Sequence, residues 1–240
     1  MLERKPSLTD QAKAYIKQRI RDDDFAGDRI PSETDLASEL GVSRTTIRDA
    51  LSRLENEGVV YRKQGAGTFV NKAGLQIKTR LEEIWSYEAV LEAHGYTPST
   101  RILDIAEVAA GVDGADLGLA PDAPVVRVQK LFLEDDEPVI FTVNRIPTHL
   151  ITESYEAQDW EAPVFEVLWS HGRQRLSYYL SEIVPVVASP DLAQTLQVAP
   201  GTPLISFAEI GYNDENEPIL RADSYLRDDL LRLRLIRRWV

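Results

Sequence analysis

The 42-residue run RIPSETDLASELGVSRTTIRDALSRLENEGVVYRKQGAGTFV, from Arg29 to Val70, constrains this chain most, because its hydrophobic period changes within a short span. Leu36, Ala37 and Leu40 keep a helical period that opens at Pro31 and Ser32 and stops at Gly41. After a short turn Ser43 stands where an N-cap belongs, and Ile47, Ala50, Leu51 and Leu54 resume the helical period until Gly58. From Val59 the pattern becomes that of two short strands, VVY and TFV, around the basic turn RKQGAG. Gly65 and Gly67 permit positive φ there and let a backbone come close to a groove. Upstream, Ser7 and Asp10 resemble a cap, and Leu8, Ala12, Tyr15, Ile16 and Ile20 predict a first helix ending near Arg21. Residues 1–73 therefore read as three helices and a hairpin.

The polar face of the third helix carries Arg44, Thr45, Arg48, Ser52 and Arg53. A solvated face is the plain alternative, but Arg44 and Arg48 stand at i, i+4, where like charges repel and add no stability. Arginine suits guanine O6 and N7, and the hydroxyls of Ser43, Thr45 and Thr46 suit phosphate oxygens at a helix N-terminus. The charge is uneven in the same sense. The whole chain has a net charge of −12, yet residues 1–73 carry +1 and residues 74–240 carry −13. A polyanion-binding head on a polyanion-repelling body fits that asymmetry, as do two domains with different solvated surfaces.

With these residues in view, the run resembles the winged helix-turn-helix of GntR-type bacterial transcription regulators, through its Pro-Ser-Glu start, its Val-Ser-Arg-Thr-Thr-Ile-Arg centre and its Gly-x-Gly-Thr-Phe-Val wing. The resemblance implies that Arg44 and Arg48 read bases, that Ser32, Glu33, Thr45 and Thr46 position the DNA backbone with Ser43 beside them, and that Gly65 enters the minor groove at the wing tip. Thr34 departs from the basic residue that many relatives carry, which removes one expected contact.

Residues 74–80 are polar and read as a linker, leaving 81–240 for a second domain. Helices are expected at 80–94, 149–156, 163–171 and 191–196, and strands at 99–107, 124–134, 137–145, 175–188, 203–213 and 217–226, with Glu134-Asp135-Asp136 turning one hairpin. That order is α+β with an antiparallel sheet. With Val-Ala-Pro-Gly-Thr-Pro-Leu before a strand and Asn213, Asp214, Pro218, Ser224, Tyr225, Arg227 and Asp229 after it, it resembles the UTRA effector-binding domain of the HutC subfamily. The resemblance implies a chorismate-lyase-like fold, a small-molecule effector held between sheet and helices, and a homodimer formed through this domain. Sugar-phosphate-binding relatives carry Arg-Leu-Arg and a Glu in the first hairpin, where this chain has Lys130, Leu131, Phe132 and Thr142; Leu220 stands at a further expected Glu. Against a phosphosugar, Lys130 with Arg127 or Arg145 would still suit a carboxylate, so an anionic effector is expected. Trp85, Ser86, Lys130, Glu182 and Tyr225 are the candidate effector contacts, with core packing or surface as the alternative for each.

The chain has no cysteine, which excludes disulfides, thiolate metal sites and a cysteine nucleophile. His94, His149 and His171 are 55 and 22 residues apart, unlike a helical metal pair, so no metal or cofactor is expected. No stretch is long and apolar enough to span a bilayer, and the N-terminus lacks a signal-peptide core, which reads as cytoplasmic. The leading expectation is a repressor on a pseudo-palindromic double-stranded operator, released by an effector. An enzyme fused to a DNA-binding head is the alternative, since the implied body fold also hosts lyase chemistry, but no nucleophile elbow or phosphate loop accompanies it. An architectural DNA binder sits poorly with −12.

Overall fold

The structure, a computed structural model, describes residues 6–22, 24–77, 79–81 and 83–234. It forms two compact units, the second spanning Leu81–Leu233 and the first holding the residues up to Arg80 together with Arg234.

In the first unit α1 spans Leu8–Arg21, α2 Glu33–Leu40 and α3 Arg44–Asn56, followed by strands β1 Val60–Lys63 and β2 Gly67–Val70. Ala12, Ile16 and Ile20 of α1 meet Leu36 and Ala37 of α2 and Ile47, Ala50, Leu51 and Leu54 of α3 in one buried core. The stripe on α1 is narrower than expected: Leu8 is exposed, and Tyr15 turns its hydroxyl to the Glu39 carboxylate. Arg29 adds a bridge to Phe69, so the hairpin is tied to the loop that precedes α2. The expected linker begins as part of this unit. Gly74 opens a 3-10 turn, Gly74–Gln76, seated so close to Gly58 that a Cβ would stand 1.9 Å from the Gly58 carbonyl oxygen. Lys78 of that stretch lies outside the described residues.

The second unit contains α4 Tyr87–Ala93, β3 Pro98–Ala109, β4 Pro124–Glu134, β5 Glu137–Pro147, α5 Val164–Gly172, β6 Leu176–Val187, α6 Pro190–Leu196, β7 Pro203–Asn213 and β8 Pro218–Leu226. Its six-stranded antiparallel sheet has the order β3-β4-β5-β8-β7-β6, two three-stranded meanders joined where β5 pairs with β8. Asp135 and Asp136 both take positive φ at the β4–β5 turn, the conformation that a two-residue hairpin requires and that aspartate tolerates. One face packs Val126, Val128 and Leu220 against Trp160 and α5, while the other packs Leu131, Leu133 and Leu204 against α6.

Two helix expectations fail. Among the described residues of 80–94 only Tyr87–Ala93 is helical, because Ser86 accepts from the Ala89 N–H and caps a late start, and Trp85 packs edge-on against Phe207 instead of continuing a helix. Of 149–156 only the 3-10 turn Thr148–Leu150 forms, and the backbone N–H groups of Thr152 and Glu153 donate to the His171 carbonyl at the end of α5. The tertiary bond overrides the local spacing.

Candidate functional site

At the start of α3, Ser43 Oγ accepts from the Thr46 N–H at 3.1 Å and shares a hydrogen with Thr46 Oγ1, so both hydroxyls hold the helix entry. At the start of α2, Ser32 and Asp35 form a reciprocal capping box. Glu33, expected to position the DNA backbone, accepts from Arg48 Nη2 at 3.0 Å and lies 4.0 Å from Arg44 Nη2. One carboxylate thus stands against two guanidinium groups. These ion pairs hold the Glu33 carboxyl below the usual range, the Arg48 hydrogen bond foremost. Arg44 and Arg48 remain 63 % and 55 % exposed, and Thr45 is exposed beside them. Arg53 is tied back to Asp10 at 2.7 Å.

Beside this face, Gly65 sits at the tip of the hairpin with φ +74° and nothing within 4 Å of where a Cβ would be. Arg29, Arg62, Lys63 and Gln64 line a cleft between the hairpin and the start of α2. Arg62 donates to Ser52 Oγ and pairs with Glu55, which fixes the hairpin to α3. The expectation overlooked Arg29. Its only sequence signal is a cation just before Pro31, because the bridge to Phe69 spans forty residues.

The second unit encloses a cavity of about 610 Å³ on the sheet face that carries Lys130, Thr142, Ser224 and Glu209. Trp85, Ser86, Tyr87 and Glu88 close one side and Pro163, Val164 and Phe165 at the start of α5 another. Register explains the floor: Lys130 pairs with Thr142, Thr142 with Ser224, and in the next row Asn144 pairs with Ala222, Ala222 with Glu209 and Glu209 with Ser181. Lys130 is 2 % exposed and donates to the Ala162 carbonyl. Burial lowers its pKa from 10.5 to about 8, against the pull of Glu88 and Glu161. Glu209 accepts from Ser181 Oγ, and burial raises its carboxyl above the usual value.

Three of the five expected effector contacts, Trp85, Ser86 and Lys130, line this cavity. Glu182 and Tyr225 do not. Strand alternation sends their neighbours Ser181 and Ser224 into the cavity and turns Glu182 to solvent, while Tyr225 stacks on Phe141 on the opposite face. The same parity removes the expected partners of Lys130. Arg127 is bound to Asp104 at 2.7 Å, and Arg145 to Asp113 and Asp223. Tyr87, Tyr179 and Glu209 were not anticipated, because their convergence depends on the β6-β7 register and on the late start of α4.

The model of the gntR family of bacterial regulatory proteins matches residues 8–70, and that of the UTRA domain matches residues 93–232, more than half of the chain. The chain belongs to the GntR family. Its relatives include the HTH-type transcriptional repressor NagR of Bacillus subtilis, 27 % identical over 91 % of this chain and 90 % of that protein. The histidine utilization repressor of Pseudomonas putida is 30 % identical over 74 % and 70 %. In fold it is similar to a possible transcriptional regulator, YydK of Bacillus subtilis, with a TM-score of 0.77 over 97 % of this chain and all of that one, at 15 % identity. This GntR-family chain is thus a DNA-binding transcription regulator with an UTRA effector-binding domain, and not an enzyme.

Proposed function

We propose that this regulator is a repressor whose α3 and β1–β2 hairpin hold an operator and whose cavity, once filled by a small molecule, weakens that hold. The observation that carries this is the pairing of two exposed arginines, aimed by one carboxylate at the start of α3, with an enclosed cavity in a separate unit. Arg44 and Arg48 are assigned to base edges, Thr45 with the first-turn backbone of α3 to phosphates, Ser32, Ser43 and Thr46 to holding the helix entries, and Gly65 to the minor groove.

A homodimer on a pseudo-palindromic site is part of the reading, since one such helix spans too few base pairs for specificity. Strand β6 supports it. It is an edge strand with one paired side, and Leu180, Ile183, Val184 and Val187 are exposed on it. A long apolar edge is a template for pairing with a second copy. No described helix is long and apolar enough to cross a membrane, and a regulator that binds chromosomal DNA acts in the cytoplasm.

The test titrates an operator fragment against the full chain with and without a metabolite selected by thermal shift. Coupling of about 1–3 kcal/mol should change operator affinity 5–150-fold, and operator must change metabolite affinity by the same factor. Equal metabolite affinities in the two titrations would refute the switch.

A further inference from the structure

The charge inside the cavity differs from what an anion receptor needs. Among the described lining residues Glu88 and Glu209 stand with one cation, Lys130. That lysine is already matched: its ammonium donates to the Ala162 carbonyl and feels Glu88 and Glu161. Arg127 and Arg145, which would strengthen an anion site, are committed to aspartates and line no part of the cavity. An arriving phosphate or carboxylate would meet carboxylates in a poorly solvated space, where like charges repel far more strongly than in water.

Glu209 is the cavity's pole on the β6-β7 side. Its nearest polar partner is the hydroxyl of Ser181, which bears no charge, and Arg221 on the neighbouring strand acts on it from the far face together with the opposing Asp223. Aromatic side chains share its side of the cavity. Tyr179 stands diagonally across the β6-β7 pair, opposite Gly211, where a side chain would come within 3.1 Å of the Tyr179 ring. Tyr87, held to Phe132 at a 5.4 Å ring separation, lies within the electrostatic reach of Glu209, as Tyr179 does. Trp85 completes the apolar side. Among the described residues no cation is hydrogen-bonded to this desolvated carboxylate, and a cation bound in the cavity would gain from both its charge and the neighbouring rings.

We propose that the effector carries a protonated amine, with the Glu209 carboxylate as its counter-ion and the rings of Tyr87 and Tyr179 beside it. The inference rests on reading this cavity as the effector site. It names the chemical class that the site selects: an organic ammonium compound small enough for about 610 Å³.

Three probes of equal size and different head group test it: phenethylamine, phenylacetate and 2-phenylethanol, titrated calorimetrically into the full-length chain at pH 7. Phenethylamine should bind at least tenfold more tightly than 2-phenylethanol, and phenylacetate more weakly than either. Glu209→Gln should bring the amine down to the level of the alcohol, and Glu209→Asp should keep the preference. The ranking in the unaltered chain stands even if a variant folds poorly. If phenylacetate binds best, or Glu209→Gln keeps the amine preference, the amine inference falls and the effector reading survives. If no probe binds, both fall.

Discussion

Replacing Lys130 with methionine should remove a distinct rise of stability with pH. Lys130 is 2 % exposed, and burial lowers its pKa from 10.5 to about 8. That drop corresponds to about 3 kcal/mol of disfavour for its charged form in the folded chain. Between pH 8 and 10.5 the unfolded chain keeps this proton and the folded chain releases it, so the unfolded state binds more protons and stability climbs as pH rises. The climb approaches about 1.4 kcal/mol per pH unit within the window and levels off above it. Tyr87 and Tyr179 act in the opposite sense, because burial raises both pKa values and their contribution is lost as alkaline pH ionises the unfolded tyrosines. They are common to both proteins, so the difference between the chain and its variant isolates Lys130. At pH 7 the relief of burying an ammonium is offset by loss of its bond to the Ala162 carbonyl, worth about 1.5–3 kcal/mol for a charged donor. The slope is therefore the diagnostic and the absolute stability is not. Urea unfolding followed by tryptophan fluorescence reads the right unit once the fourth tryptophan, Trp239, is replaced by phenylalanine in both proteins, since Trp85, Trp160 and Trp169 lie in that unit and residues 1–80 contain no tryptophan. Equal slopes for the two proteins from pH 8 to 9.5 would refute the reasoning.

Arg48→Ala should cost about 1–3 kcal/mol on the preferred operator and far less on random DNA, as loss of a bidentate base contact does, whereas Thr45→Ala should weaken all sequences alike; equal losses for Arg48→Ala on both DNAs would contradict base reading. Glu33→Gln should lower specificity in the same direction without touching DNA, because it loosens the 3.0 Å bond that aims Arg48; anisotropy titrations that show no change in the ratio of specific to random affinity would sink that role. Replacing Leu180 and Ile183 of β6 together with aspartate should convert a dimer to a monomer in light scattering, and a dimer that survives the change would move the interface elsewhere.

What the sequence discloses here follows the range of the interactions. The head is local: Ser43 caps α3 three residues before its bonding partner, Ile47, Ala50, Leu51 and Leu54 form one stripe, and Asp135-Asp136 turn a hairpin between strands that flank them. Short-range causes leave short-range patterns, and the boundaries of α3, β4 and β7 could be read to within a residue or two. The cavity is not local. Glu209 reaches Ser181 across 28 residues, and Lys130 reaches Ala162 across 32, so no window along the chain holds a pattern for either. What sequence does fix is parity within a strand: once Lys130 faces the cavity, Arg127 cannot, because the pleat sends residues three apart to opposite faces. The expected anion clamp of Lys130 with Arg127 broke that rule, and Arg145 broke it too, since it pairs with Arg127 in register on the far face. The helix expected at 80–94 failed for a related reason. Leu81 and Trp85 are apolar because they pack on the sheet beside Phe207, and a helical spacing of apolar residues does not distinguish a helix from a loop laid on a hydrophobic wall. That loop forms one rim of the cavity, so Trp85 and Ser86 were legible as candidate residues while the element that carries them was not.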